Sequence, residues 1–155
     1  MSKIGELAPD FTLPASNGKE VTLSNFRGKN VVIYFYPKDM TPGCTTQACD
    51  FRDMLDLFND ENTVILGINR DPLSKHKSFV AKHNLPFLLL SDEQHVVTEL
   101  YGVWKLKKNF GKEYMGIERS TFLIDKEGKL VKEWRKVKVK EHAKEVLAAI
   151  KEELD

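Results

Sequence analysis

An α/β fold is predicted by three features of this chain. Residues 31–36 are apolar at every position, as in a central strand that is covered on both faces. Strand-like and helix-like segments then alternate as far as residue 101, which is typical of a βαβ arrangement. Cys44 follows the first central strand, at the carboxyl end where such folds place their reactive groups.

The remaining elements are predicted from hydrophobic period and turn residues. Residues 11–13 and 21–23 flank an Asn17-Gly18 turn, which predicts an N-terminal β-hairpin. Apolar side chains spaced by three or four residues predict one amphipathic helix over residues 45–59. The rest of the predicted elements are a strand at 63–68, a helix at 74–83, a strand at 86–90, a helix at 93–101, a β-hairpin of 121–124 and 130–134, and a C-terminal helix containing Val146, Leu147, Ile150 and Leu154.

Length and charge set limits on the function. With 155 residues, the chain is expected to form one domain, 1–155, large enough for a substantial core. Its 24 Lys and Arg against 23 Asp and Glu give a net charge of +1, so nothing attracts it as a whole to nucleic acid or to a membrane surface. The N-terminal residues lack the apolar core of a signal peptide, and we expect a cytoplasmic protein.

The two cysteines are the candidate reactive groups. Cys44 follows a Thr41-Pro42-Gly43 turn that opens a predicted helix. Backbone N–H groups at a helix N-terminus lack intrahelical partners and carry partial positive charge, so a thiol there is biased towards the reactive thiolate. Cys49 lies five residues later. A chain of this size does not need a disulfide framework for stability, which favours a redox or reactive pair.

The order of elements, with a cysteine after the first core strand, predicts a thioredoxin-like fold that carries an N-terminal β-hairpin extension. Three sequence patterns add a more specific resemblance. They are Pro37-x-x-x-Thr41-x-x-Cys44, the continuation through residues 45–53, and the segment 114–125, which contains Arg119. Together they are similar to the peroxiredoxins, and most of all to the bacterioferritin comigratory protein, or peroxiredoxin Q, group.

The resemblance implies reduction of hydrogen peroxide and organic hydroperoxides without metal, haem or flavin, with electrons usually supplied by thioredoxin or a similar dithiol. It implies that Cys44 is the peroxidatic cysteine, Thr41 a hydroxyl donor, Pro37 a shielding proline and Arg119 the active-site arginine. Cys49 matches the resolving cysteine of many members, which would form an intramolecular disulfide and leave the protein a monomer.

These residue types suit the implied chemistry. A thiolate that attacks a peroxide oxygen needs negative charge stabilised first at sulfur and then at the departing oxygen. Arg119 stays charged and presents a planar set of donors, so it can serve both positions. One variation concerns Gln47, where many relatives have Glu, and it puts a polar interaction near the site in question.

Two other functions remain open from the residues alone. A thiol-disulfide oxidoreductase without peroxidase activity would also use two cysteines, although such proteins usually carry Cys-x-x-Cys. A zinc-binding or holdase-type interaction module would need more ligands or an apolar surface. The histidines show no spacing that converges with the cysteines on a metal site and are interpreted as structural or exposed; they are His76, His83, His95 and His142. We interpret Arg52 as a surface ion-pair residue and the lysine-rich residues 105–112 as a solvated loop.

Overall fold

A mixed five-stranded sheet forms the centre of the fold in this computed structural model, which describes residues 3–154. In spatial order its strands are β5 (Leu88–Ser91), β4 (Thr63–Asn69), β3 (Asn30–Phe35), β8 (Ser120–Ile124) and β9 (Leu130–Trp134). The pairs β3–β4 and β4–β5 are parallel, whereas β3–β8 and β8–β9 are antiparallel. The middle strand is therefore the one that leads to Cys44.

The apolar run in β3 supplies both sides of the core. Val31, Ile33 and Phe35 pack into one hydrophobic cluster, and Val32 and Tyr34 pack into the other on the opposite face. Every residue of the strand is buried. The alternation follows from the two-residue period of a strand, and it confirms the prediction of a central strand covered on both faces.

Helices and a hairpin cover the two faces. One cluster receives side chains from α1 (Pro42–Asp53), α2 (Leu55–Asp60), α3 (Leu73–His83) and α5 (His142–Glu153). The other is covered by α4 (Val96–Leu100) and by the predicted N-terminal hairpin, in which β1 (Thr12–Pro14) pairs with β2 (Glu20–Thr22). Within residues 3–154, no helix combines the length and the apolar character that crossing a bilayer requires.

The prediction of one helix over residues 45–59 was wrong. The chain leaves regular α-helix at Met54, whose N–H bonds to the carbonyl of Phe51 at 3.3 Å, three residues back. A new short helix, α2, starts from the Met54 carbonyl. The apolar spacing continues through this break, because Phe51 and Phe58 are both fully buried on the same side of the sheet. Periodicity alone therefore could not locate it.

The lysine-rich segment is a second hairpin, not a loop. Strand β6 (Trp104–Asn109) pairs antiparallel with β7 (Lys112–Ile117), and the turn consists of Phe110 and Gly111, both with positive φ. The strand pattern was missed because the hairpin is exposed on both faces over most of its length, and apolar and polar residues alternate only over 104–107. Phe110 is also an unusual residue in a turn that generally prefers Asn or Asp.

Helix α4 starts later than predicted. The side chain of Asp92 accepts hydrogen bonds from the N–H groups of Val96, Val97 and Thr98, at 2.8–3.2 Å. These are N–H groups at the start of the helix, which lack intrahelical partners. His95 precedes the helix with a left-handed φ of 48°. The predicted residues 93–95 are thus a turn that brings the capping carboxylate into place.

His142 joins α5 to the central sheet. Its Nε2 lies 2.8 Å from the Thr121 hydroxyl of β8, and its Nδ1 lies 3.0 Å from Glu145 Oε1. The ring also meets Phe51 of α1 edge to face. Burial lowers the pKa of His142, although the Glu145 carboxylate partly opposes this shift. The neutral imidazole is therefore the form that the folded protein favours.

We expect the free energy of unfolding to fall as the pH drops below about 6.5, the usual pKa of a histidine in an unfolded chain. Protonation then costs more in the folded state than in the unfolded one, by about 1.4 kcal/mol for each unit by which the pKa is lowered. Urea denaturation at pH 7.5 and pH 5.5 measures the loss. The His142→Gln variant should lose less between these pH values, and equal losses in the two proteins would contradict the assignment.

Candidate active site

Cys44 lies in the first turn of α1 and is 1% exposed. Thr41 occupies the N-cap position, Pro42 is the first helical residue, and the first helical hydrogen bond runs from Thr45 N to Thr41 O at 2.8 Å. Proline is well suited to this position because its missing N–H would have no helical partner there. The thiol thus lies where the N-terminal N–H groups and the helix dipole favour negative charge.

The Arg119 guanidinium is brought to this thiol by β8, the strand that lies next to β3 in the sheet. Its Nη2 lies 3.3 Å from Cys44 Sγ. Arg119 directly precedes β8, and β8 pairs with β3, the strand that leads to Cys44. Gly43 allows the close approach, since a Cβ atom at that position would lie only 3.3 Å from Arg119 Nη2.

Gln47 fixes the other branch of the same guanidinium. Its Oε1 accepts a hydrogen bond from Arg119 Nη1 at 2.6 Å, and the residue is almost fully buried. The amide therefore makes the contact that was in question for a residue other than glutamate. Its Nε2 is buried without a hydrogen-bond partner in residues 3–154. From the sequence, Gln47 is only a variation near the site, and its role in orienting Arg119 becomes visible in the folded structure.

Thr41 and Pro37 are placed differently. The Thr41 hydroxyl donates to the Lys38 carbonyl at 2.9 Å and makes no capping bond to the helix. Pro37 borders an open cavity of about 440 Å³ between the β6–β7 hairpin and the end of β3. Residues lining this cavity include Lys38, Arg70, Trp104, Lys107 and Tyr114. The structure therefore brings Cys44 and Arg119 into contact. Thr41 and Pro37 lie on the segment between β3 and Cys44.

Lys107 adds a further positive charge near the site. Its pKa is lowered, first because the side chain is partly buried and then because of the nearby Arg119 charge. The sequence placed this lysine in a solvated loop. Its position on β6 depends on the fold of the hairpin, which the sequence pattern did not predict.

Cys49 faces a separate environment on the same helix. Its Sγ lies 3.9 Å from His83 Nδ1 at the end of α3, and the side chain is partly exposed. Arg52 lies next to this contact. Its Nη1 donates to the His83 carbonyl at 2.7 Å, and its Nε pairs with Asp53 at 2.9 Å. Arg52 thus makes the ion pair expected of it and also joins α1 to α3. Both thiols are free in this structure.

The other histidines have structural contacts. His76 is buried against Asp39, and His95 stacks on the Trp104 ring with a centroid distance of 4.7 Å. The Arg70 guanidinium also lies over the Trp104 ring, 4.6 Å from its centroid. In the described residues, no group of three or more His, Cys, Asp or Glu side chains is arranged to hold a metal ion.

Comparison with known proteins identifies the family. The model of the AhpC/TSA family matches residues 4–133. This chain belongs to the AhpC/TSA family. It is 61% identical to peroxiredoxin Bcp of Bacillus subtilis over 150 residues, which cover 97% of this chain and 96% of the relative. It is 46% identical to peroxiredoxin Bcp of Escherichia coli K12, with the same coverage of both chains.

Solved structures lead to the same family. A structure of the bacterioferritin comigratory protein of Xanthomonas campestris, described for its alkyl peroxide reduction activity, superimposes with a TM-score of 0.91. The two chains are 44% identical, and the match covers 97% of this chain and 98% of the other. The resemblance to the peroxiredoxin Q group and the thioredoxin-like fold are thereby confirmed.

Proposed function

We propose that this chain is a two-cysteine thiol peroxidase that reduces hydrogen peroxide and organic hydroperoxides through Cys44, with Cys49 as the resolving cysteine. The observation that carries the proposal is the contact of 3.3 Å between Arg119 Nη2 and Cys44 Sγ at a helix N-terminus. The names of the relatives, peroxiredoxin Bcp, and the alkyl peroxide reduction described for the Xanthomonas protein support the same activity.

The first step is attack of the Cys44 thiolate on one peroxide oxygen. The S–O bond forms while the O–O bond breaks, and the departing oxygen takes up a proton and leaves as water or an alcohol. Sulfur loses two electrons and becomes a sulfenic acid. Arg119 stabilises the thiolate beforehand and the departing oxygen during the step. Gln47 holds the guanidinium in place through its other nitrogen, without neutralising its charge.

The second step is attack of the Cys49 thiol on the Cys44 sulfenic acid. The S–S bond forms, the S–O bond breaks, and water leaves with the thiol proton. This step protects Cys44 from further, irreversible oxidation. Thioredoxin or a similar dithiol then reduces the disulfide and is itself oxidised. The reductant, the monomeric state, the single domain and the cytoplasmic location all stay predictions.

Peroxide consumption with dithiothreitol or thioredoxin as electron donor tests this function. A thiol-disulfide oxidoreductase or a zinc-binding module would not consume peroxide under these conditions. Arg119 contacts both Cys44 and Gln47. Variants at Cys44, Cys49 and Arg119 therefore test the attack on peroxide separately from disulfide formation.

Replacing each cysteine by serine should give two different failures. Cys44→Ser removes the attacking sulfur and should abolish peroxide reduction. Cys49→Ser keeps the attacking sulfur and should consume about one equivalent of peroxide per chain, leaving a sulfenic acid that no internal thiol resolves. Peroxide titration and mass spectrometry distinguish the two. Full turnover by Cys44→Ser would show that the roles are assigned wrongly, and a small thiol can partly restore turnover in Cys49→Ser.

Replacing Arg119 by methionine should slow the peroxide reaction of Cys44 by about 100-fold, the usual effect of losing one donor to a developing oxyanion. The measurement is the second-order rate constant across a pH series. Arg52→Met, which changes another arginine near α1, is the control and should react like the unchanged protein. A rate constant at high pH equal to that of the unchanged protein would contradict stabilisation of the departing oxygen by Arg119.

Disulfide formation should require α1 to unwind at its start. Residues five apart on an α-helix have Cα atoms roughly 8.7 Å apart, whereas a disulfide needs less than about 7 Å. Cys44 and Cys49 both lie within α1. Opening the first turns of α1 breaks a few hydrogen bonds, each worth about 1 kcal/mol net. The break at Met54 separates α1 from α2, so α2 can stay folded.

Amide hydrogen exchange in the reduced and disulfide forms measures this change. We expect faster exchange over residues 43–51 in the disulfide form, with residues 55–60 as an internal control that stays protected. Equal protection of residues 43–51 in both forms would contradict unwinding.

A further inference from the structure

One buried side chain anchors the segment that joins β3 to the reactive turn. Among residues 37–43, Asp39 alone is buried. The next residue, Met40, has a φ of 67°, a left-handed conformation that residues other than glycine seldom adopt. Such a conformation persists only where its surroundings hold it. The contacts of Asp39, the neighbouring buried residue, therefore hold this turn in place.

Asp39 forms a fully buried pair with His76 of α3. The Asp39 Oδ2 atom lies 2.6 Å from His76 Nδ1, and both side chains are inaccessible to solvent. The other ring nitrogen, Nε2, lies 3.1 Å from the Leu90 carbonyl oxygen. A carbonyl oxygen can only accept, so Nε2 carries a proton and donates it. The pair therefore ties the turn to α3 and to strand β5 at once.

The second carboxylate oxygen and the backbone N–H of Asp39 are also hydrogen-bonded. Its Oδ1 accepts from the Tyr36 hydroxyl at 2.6 Å and from Asn69 Nδ2 at 3.2 Å. Burial raises the pKa of Tyr36 well above its ordinary value, so the hydroxyl keeps its proton and donates. The backbone N–H of Asp39 donates to Asp71 Oδ2 at 2.7 Å. Both the main chain and the side chain of this one residue are bonded to the end of β4.

The anchored turn leads directly into the reactive helix. Thr41, two residues after Asp39, provides the carbonyl that accepts the first hydrogen bond of α1, from Thr45 N. Any displacement of the turn would therefore move the start of α1, and Cys44 with it, relative to Arg119. A misplacement of about 1 Å can cost about 100-fold in rate.

We propose that the Asp39–His76 pair is a latch that positions Cys44 beside Arg119 for attack on the hydroperoxide, and that disulfide formation does not need it. The inference rests on the proposed function. Asp39 and His76 are positioning residues, since neither contacts the reacting atoms. Without the latch, the turn is free to open, so attack slows while formation of the disulfide keeps its rate or becomes faster.

The test measures the two steps separately in the full chain. Rapid mixing of reduced protein with hydrogen peroxide gives the rate constant of Cys44 oxidation, and acid quenching followed by mass spectrometry gives the rate of disulfide formation. Asp39→Ala and His76→Leu should each slow oxidation by about 10 to 100-fold. Neither variant should form the disulfide more slowly than the unchanged protein once the sulfenic acid is present.

Two controls separate positioning from a general loss of stability. In Asp39→Asn, the amide oxygen can still accept from Tyr36 and Asn69, while its NH₂ can donate to His76 Nδ1. This variant should oxidise within about threefold of the unchanged rate constant, as an isosteric replacement that keeps the hydrogen bonds. Val31→Ala opens a cavity in the other core cluster, on the opposite face of the sheet. It should lower stability in urea without slowing Cys44 oxidation.

Each outcome decides between the alternatives. An Asp39→Ala rate constant equal to that of the unchanged protein, or an equal slowing in Val31→Ala at matched stability, overturns the latch. If Asp39→Ala does not fold, His76→Leu removes the same pair from the side of α3, and an unchanged oxidation rate in that variant overturns the latch as well. If the unchanged protein does not react with peroxide at Cys44, the proposed function fails instead.

Discussion

The antiparallel pairing of β3 with β8 determines where a cation meets the Cys44 thiol. Phe35 at the end of β3 lies opposite Ser120 at the start of β8. Cys44 follows the first of these strands and Arg119 directly precedes the second, so both reach the same edge of the sheet. A shift of one residue in this register would turn the buried side chains of β8 to the wrong faces. The core therefore fixes the guanidinium position.

Positive charge at the site comes from three separate parts of the fold: the N-terminus of α1, Arg119 and Lys107. Cys44 lies in the first turn of α1, where backbone N–H groups lack intrahelical partners, and Arg119 lies beside the sulfur. Lys107 approaches from the β6–β7 hairpin, which is separate from the central sheet. Gln47 accepts a hydrogen bond from one branch of the guanidinium as a neutral group, so Arg119 keeps its full charge beside the Cys44 sulfur. Burial strengthens each of these interactions because little water screens them.

The sequence predicted the parts of the fold that depend on local patterns. The apolar run of β3, the Asn17-Gly18 hairpin and the position of Cys44 at a helix start are each encoded within a few residues. The break at Met54 was not predictable in this way, because apolar spacing continues across it. The β6–β7 hairpin was missed since its side chains face solvent on both sides.

Contacts at the site between residues far apart in the chain could not be predicted from local sequence patterns either. The contact between Arg119 and Cys44 was expected only through the family resemblance, as nothing near Arg119 in the sequence indicates a partner 75 residues away. The partnership of Gln47 with Arg119 and that of Asp39 with His76 likewise depend on how distant segments pack. His76 looked like any helical histidine, and only its burial against a carboxylate distinguishes it.

The sheet order also determines when the site can exist during synthesis. Strand β3 can pair with β4 early, but its other neighbour, β8, begins at Ser120, late in the chain. Chains emerge from the N-terminus, and pairings between distant segments form slowly. A growing chain that has exposed Cys44 therefore lacks the guanidinium until residue 119 has emerged and β8 has docked. During that interval Cys44 lacks its contact with Arg119, so the pairing of cation and thiol exists only in a nearly complete fold that also holds the second cysteine on α1.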